Sequence, residues 1–264
     1  MSRPDGLPDF ACPPLEEVVL GVQFSRHPQY DDSFAWEVWE AFRSEFPTFQ
    51  QRPRLDPMFE VFGGSETMAS FQFSIAQTEP SKRYWFVAQD DSHLLQFQDD
   101  RLLLNWRRRP GNDYPRYEAM SALFEKYLDQ LKSLFYNRNR VELVIQQAEV
   151  AYINVIPLVE RTNLGDWLRL VQPSSLNIEQ LNAIFTEVVH SDKTPIARLH
   201  YEIGLLSSRE LSRGMRLTLT YRGAPKGSKT QTIIEFLGVG RERIVNRFCD
   251  ITTEEAHKIW QRKQ

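Results

Sequence analysis

The chain has 264 residues and a net charge of −3, with 41% apolar and 25% charged side chains. That is enough to bury a large core, and it excludes a chain disordered throughout. The slight negative charge argues against a protein that coats nucleic acid with its whole surface, while allowing a local basic patch.

In chain order, residues 1–14 carry four prolines and no periodicity, and read as an extended N-terminal arm. Residues 17–25 are apolar and β-branched, a buried strand. Asp31, Asp32 and Ser33 offer an N-cap to a helix with Phe34, Val38, Ala41, Phe42 and Phe46 near helical spacing, stopped by Pro47. A meander of strands is expected over 58–62, 68–75, 83–88, 93–97 and 101–106, punctuated by Gly63-Gly64, Asp90-Asp91 and Asp99-Asp100. The strongest helical signal follows. Met120, Leu123, Phe124, Tyr127, Leu128, Leu131, Leu134 and Phe135 make an unbroken stripe that should lie across the meander.

A second cycle is expected from Val141. It begins with a long strand over 144–157 and helices over 166–171 and 178–189. Strands over 196–206, 215–221 and 230–237 follow, then a closing helix from Thr252 or Thr253 to Trp260. The fold expected is therefore α+β, built as two similar halves, 15–140 and 141–264. Each half would be a mostly antiparallel curved sheet packed on helices. The order in the first half is that of a helix-grip sheet, whose concave face could hold an apolar ligand.

No catalytic constellation is visible. The five histidines show no i, i+4 pair, and His190, Asp192 and His200 read as loop and strand positions rather than a metal or triad set. Gly238-x-Gly240 lacks the third glycine of a dinucleotide site and reads as a turn. The three Asp-Asp pairs fall at turns, where Asp bonds the backbone. Glu149, Asn154, His200 and Glu202 are the nearest polar strand residues for an unconventional active site. Cys12 and Cys249 match no metal or redox spacing, which predicts free thiols in a reducing cytosol. No segment approaches the ~20 apolar residues of a membrane span, so no membrane association and a cytoplasmic location are expected. No cofactor is indicated.

The most informative stretch is 96–118, in which Trp106 is followed by Arg107, Arg108 and Arg109, and Arg116 lies between Tyr114 and Tyr117. Lys82 and Arg83 precede another Tyr-Trp pair. Arginine beside exposed aromatics suits phosphate contact with base stacking, or an acidic protein partner. The plainer reading is a solvated turn whose arginines pair with Asp99, Asp100 and Asp113. Trp106 itself should anchor its strand onto the long helix.

Several segments share a family pattern. They are Pro13-Pro14-Leu15 with the run from Glu17 to Phe24, Gln96-Phe97-Gln98 with Asp100-Arg101, Asn105-Trp106-Arg107, Tyr114-Pro115-Arg116-Tyr117, and the run from Glu149 to Asn154. In these the chain resembles a sporadically distributed bacterial and archaeal family of uncharacterised proteins of about this length. The resemblance implies a mobile module, such as an antitoxin-like, immunity or phage-defence accessory subunit. On that basis the leading expectation is a non-enzymatic interaction protein with a partner encoded nearby. RNA or single-stranded DNA binding through the arginine and aromatic patch is the second expectation. A small-molecule or lipid binder is the third, and homo-oligomerisation is left open.

Overall fold

The computed structural model describes residues 4–26, 30–62, 82–158, 163–171, 178–206 and 214–263. Nine strands form one antiparallel sheet: β1 (Leu15–Phe24), β2 (Thr48–Pro53), β3 (Lys82–Val87), β4 (His93–Gln98), β5 (Arg101–Arg107), β6 (Ile145–Pro157), β7 (Asn182–Ser191), β8 (Thr194–Leu206) and β9 (Gly214–Gly223). Their spatial order is β2-β3-β4-β5-β1-β6-β9-β8-β7. The helices are α1 (Asp32–Phe42), α2 (Tyr117–Asn139), α3 (Thr230–Ile251) and α4 (Glu254–Ile259).

This overturns the expectation of two similar halves with a sheet each. β1 pairs along its length with β6, Val18 opposite Tyr152 and Val22 opposite Ala148, so no sheet edge exists near residue 140. Both strands are apolar on the side facing the helices. Joining them there buries two edges that would otherwise present unpaired backbone.

Other expectations also change. Residues 178–189 are not a helix, because Ile184, Phe185 and Val188 lie in the strand β7. Only a short 3₁₀ turn, Leu164–Asp166, stands near the helix expected over 166–171. Residues 230–237 open α3 instead of forming a strand. Its buried stripe of Ile233, Leu237, Arg241, Ile244 and Phe248 continues at helical spacing straight through the glycines taken for a turn. Gly240 is where α3 meets the sheet: a Cβ there would stand 2.4 Å from the Tyr221 ring and 2.7 Å from Val150. The strand expected over 68–75 lies outside the described residues.

Elsewhere the local chemistry is as expected. Asp31 caps α1 by accepting from the Phe34 N–H at 3.0 Å. The stripe of α2 is buried at Met120, Phe124, Leu128, Leu131 and Phe135. Thr253, rather than Thr252, caps α4, accepting from the Ala256 N–H at 3.1 Å. The arm docks on the end of the chain: Ala11 and Cys12 N–H donate to the Gln261 and Trp260 carbonyls, and Phe10 is buried against Phe248 and Trp260.

Because strand side chains alternate, the sheet has two unlike faces. Val18, Leu20, Val22, Leu102, Leu104, Trp106, Leu217, Leu219 and Tyr221 join the helices in one large apolar core. The other face carries Gln23, Gln96, Gln98, Arg101, Asn105, Gln147 and Arg222, all buried. Residues 54–62 cross this polar face. The strand expected over 58–62 is therefore a strap that pairs with no strand backbone among the described residues.

Glutamine side chains do the pairing instead. Gln98 bonds both the N–H and the C=O of Leu55, at 2.9 and 3.0 Å, and Gln23 does the same for Met58, at 2.9 and 2.6 Å. Gln147 accepts from the Glu60 N–H at 3.4 Å. The three glutamines sit on β4, β1 and β6, so an extended chain meets them in turn. Leu55 to Met58 spans about 10 Å, the width of two strand spacings.

Candidate functional site

The structure separates the arginine and aromatic residues singled out in the sequence into three places. Trp106 is buried under the corner between β5 and α2, its ring 5.0 Å from Tyr114. Arg108 holds the arm, donating to the Leu15 and Pro13 carbonyls at 2.8 and 2.9 Å. Arg116 reaches Asp9 of the arm at 2.7 Å. The backbone of Arg116 has φ 75° and ψ 156°, a conformation normally left to glycine, which marks the corner as strained. Tyr114 and Tyr152 share a hydroxyl hydrogen bond of 3.1 Å. Tyr117 lies beneath the Arg241 guanidinium, which pairs with Glu118 at 3.0 Å. Burial raises the Tyr114, Tyr117 and Tyr152 hydroxyls above the usual tyrosine range. With Phe10, Ile244 and Phe248 they line a small, half-open apolar cleft of about 80 Å³ beside the arm.

Lys82 points to the helical side, to Asp32 at 2.8 Å, and joins neither of the other groups. Arg83 and Arg107 project on the polar face and meet there, two strands apart, over Trp85. The Trp85 ring has three guanidinium groups about it: Arg52 at 4.6 Å, Arg83 at 5.5 Å and Arg107 at 5.8 Å. Arg52 had drawn no attention in the sequence. It joins the group because β2 pairs with β3 in a register that sets Arg52 opposite Arg83 and Gln50 opposite Trp85.

The carboxylate partners are not those suggested by the sequence. Arg107 and Arg109 both pair with Asp91, Arg109 Nε at 2.7 Å. Asp99 and Asp100 pair with Arg54, and Asp99 with Arg26 as well. Arg52 bonds Gln50 at 2.6 Å, and Arg83 bonds Gln96 at 2.9 Å. Neither has a carboxylate within salt-bridge distance among the described residues. Among the described residues the Nε atoms of Arg83, Arg101 and Arg107 are buried without a hydrogen-bond acceptor. Burial, then the charges of Arg101 and Arg52, pull the Arg83 guanidinium below its ordinary value.

The opposite end of the same face is fully matched. Glu60 of the strap, 6% exposed, takes Arg198 at 2.8 Å, His200 at 2.6 Å and Arg222 at 3.5 Å, while Arg222 also holds Glu149 at 2.7 Å. Burial would push the Glu60 carboxyl up. The hydrogen bonds from His200 and Arg198 and the charge of Arg222 overrule it and hold the carboxyl at about 2. Of the strand residues named for an unconventional active site, Glu149 and His200 therefore enter one network. Asn154 lies across the sheet, donating to the Leu217 carbonyl at 3.2 Å. The network is closed upon itself, a clamp for the strap. Sequence inspection missed Glu60, which belongs to no motif.

Among the described residues, no group of three or more His, Cys, Asp or Glu side chains could hold a metal ion. No described helix is long and apolar enough to cross a membrane. Cys12 and Cys249 are free thiols, Cys12 exposed and Cys249 buried. The chain matches no family model and no curated protein.

Proposed function

We propose that this protein is a non-enzymatic binding protein that takes single-stranded nucleic acid on the β2–β5 end of its polar sheet face. The observation that carries the reading is the Trp85 ring among the guanidinium groups of Arg52, Arg83 and Arg107, two of which touch no carboxylate among the described residues. Arginines beside a strand-borne indole offer phosphate contact and a stacking surface together. A sheet face is rigid and extended, and suits a strand whose bases are unpaired. The mobile-module setting implied by the sequence resemblance accommodates such an activity.

The test is fluorescence anisotropy with labelled single-stranded RNA and DNA of about 20 nucleotides at low and moderate salt. Binding by the unaltered protein is expected to weaken as salt rises, with a log–log slope near −2 if about three phosphates are contacted. Arg52→Glu with Arg83→Glu should lower affinity at least about tenfold and flatten that slope by about one. Arg108→Glu, which alters the arm's anchor, should leave affinity unchanged. No binding at tens of micromolar protein in low salt would overturn the proposal, as would binding that the double variant does not weaken. If an acidic peptide bound at the same arginines and the oligonucleotides did not, the reading would pass to a protein partner.

A further inference from the structure

The two edges of the sheet are built differently. β2 has six residues, is polar, and ends in Arg52 and Pro53, the features that keep an edge strand from pairing. β7 has ten residues, no proline and no lysine. It exposes Ile184 at 68%, Val188 at 41% and Phe185 at 38%. A long apolar edge of this kind is a template for another strand.

The backbone fixes which residues a second strand would meet. The Leu205 N–H donates to the Leu181 carbonyl at 3.1 Å, and β7 pairs with β8 antiparallel in that same register. Residues 181, 183, 185 and 187 therefore turn their N–H and C=O groups towards β8, while Ile184, Thr186 and Val188 turn theirs to the open side. No hydrogen bond from those open-side backbone groups is found among the described residues.

We infer that the occupant is β7 of a second copy of this chain, paired antiparallel about a two-fold axis through Thr186. In that register Ile184 faces Val188 in both directions, and Thr186 faces Thr186. All three residues use their free N–H and C=O groups. On the helical side Glu187 falls opposite Phe185 and keeps its bonds to Arg247 (2.6 Å) and Tyr201 (3.0 Å). Moving the axis one residue towards the C-terminus would set Glu187 against Glu187, a destabilising like-charge pair. Moving it one residue the other way would gain a Phe185–Phe185 pair but set Ile184 against Thr186 and Val188 against Asn182, exchanging two aliphatic pairs for one aromatic pair. Of these three two-fold registers the central one alone keeps both aliphatic pairs and sets no like charges opposite each other.

Sedimentation equilibrium and native mass spectrometry over roughly 1–100 µM test the inference, a range suited to a strand-addition interface of modest area. A concentration-dependent species at twice the 31.0 kDa chain mass is expected. Val188→Lys should raise its dissociation constant at least about tenfold with circular dichroism unchanged, since the side chain is exposed. The register is read by oxidation in a Cys12→Ser background. Thr186→Cys should yield a disulfide-linked dimer, because directly paired Cα atoms stand at ~5.5 Å, within disulfide reach. Ile184→Cys should not. A monomer throughout the range, or a dimer indifferent to Val188→Lys, would overturn the interface. Readier cross-linking of the Ile184→Cys variant than of the Thr186→Cys variant would overturn the register.

Discussion

The two faces of the sheet use the same strands for opposite purposes. On β5, Leu102, Leu104 and Trp106 enter the helical core, while Arg101, Asn105 and Arg107 face the strap and its surroundings. The apolar face is non-directional: its stabilisation scales with area and tolerates no missing volume. The polar face is directional, and every group there needs a named partner. Where carboxylate partners are complete, at Glu60, the face is a clamp; where none stands within salt-bridge distance among the described residues, at Arg83, lies the end proposed above to take the ligand. The two strand tryptophans put the contrast most sharply. Trp106→Ala should cost ~3–5 kcal/mol, the usual range for emptying a fully buried aromatic site. Trp85→Ala, on the half-buried polar face, should cost less than about 1 kcal/mol and yet weaken oligonucleotide binding several-fold. Urea unfolding of both variants decides it; equal losses would erase the distinction between the faces.

Much of the apolar face was legible in the sequence, because periodicity reports burial against a partner of like chemistry. β1, β4, β5, β6, α1 and α2 follow from alternation or a helical stripe. α3 was missed because Gly238 and Gly240 look like punctuation, whereas Gly240 is a contact point with Tyr221 and Val150 that only the assembled sheet reveals. β7 was misread because Ile184, Phe185 and Val188 fit either period over so short a run. The joining of β1 to β6 depends on edge pairing, which no local pattern encodes. The polar face was nearly illegible. Gln23, Gln98 and Gln147 look like ordinary strand polars until a strap lies across them. Glu60 finds its partners 138, 140 and 162 positions further along the chain. The arginine patch was half legible: Arg83 and Arg107 do meet over Trp85, but Arg108, Arg109 and Arg116 serve the arm and Asp91.

Glu60 gives the next effect in size. Its carboxyl is held at about 2, below the ordinary carboxylate value, so the folded state favours the charged form. That contribution is fully present above the unfolded carboxylate value near 4.5. It falls away as pH drops through the folded value near 2. At neutral pH it is worth at most about 3 kcal/mol, so Glu60→Gln should lower stability by roughly 2 kcal/mol and leave a shallower decline between about pH 4.5 and 2. Chemical denaturation across that range measures both. Hydrogen exchange should quicken at Leu55 and Met58 in the same variant, since the strap loses its anchor at the far end. An unchanged acid profile would show that Arg198, His200 and Arg222 hold Glu60 without favouring its charge.

The smallest expected change in stability is also the most discriminating. Arg83 sits partly buried beside Arg52 and Arg101, and among the described residues its Nε has no acceptor and no carboxylate offsets its charge. Desolvation and like-charge repulsion both oppose it in the folded state, and its one side-chain bond is to Gln96, which also accepts from the Trp85 indole N–H at 3.1 Å. Arg83→Met keeps the apolar stem and removes the charge. It should therefore leave stability within about 0.5 kcal/mol of the unaltered protein, or raise it. A charge that adds nothing to stability fits the role in ligand binding proposed above. The same variant should weaken oligonucleotide binding about tenfold. If Arg83→Met instead lost more than about 1 kcal/mol, the guanidinium would be a structural member of the polar face like Arg222. The open end of that face would then be no more open than the clamped one.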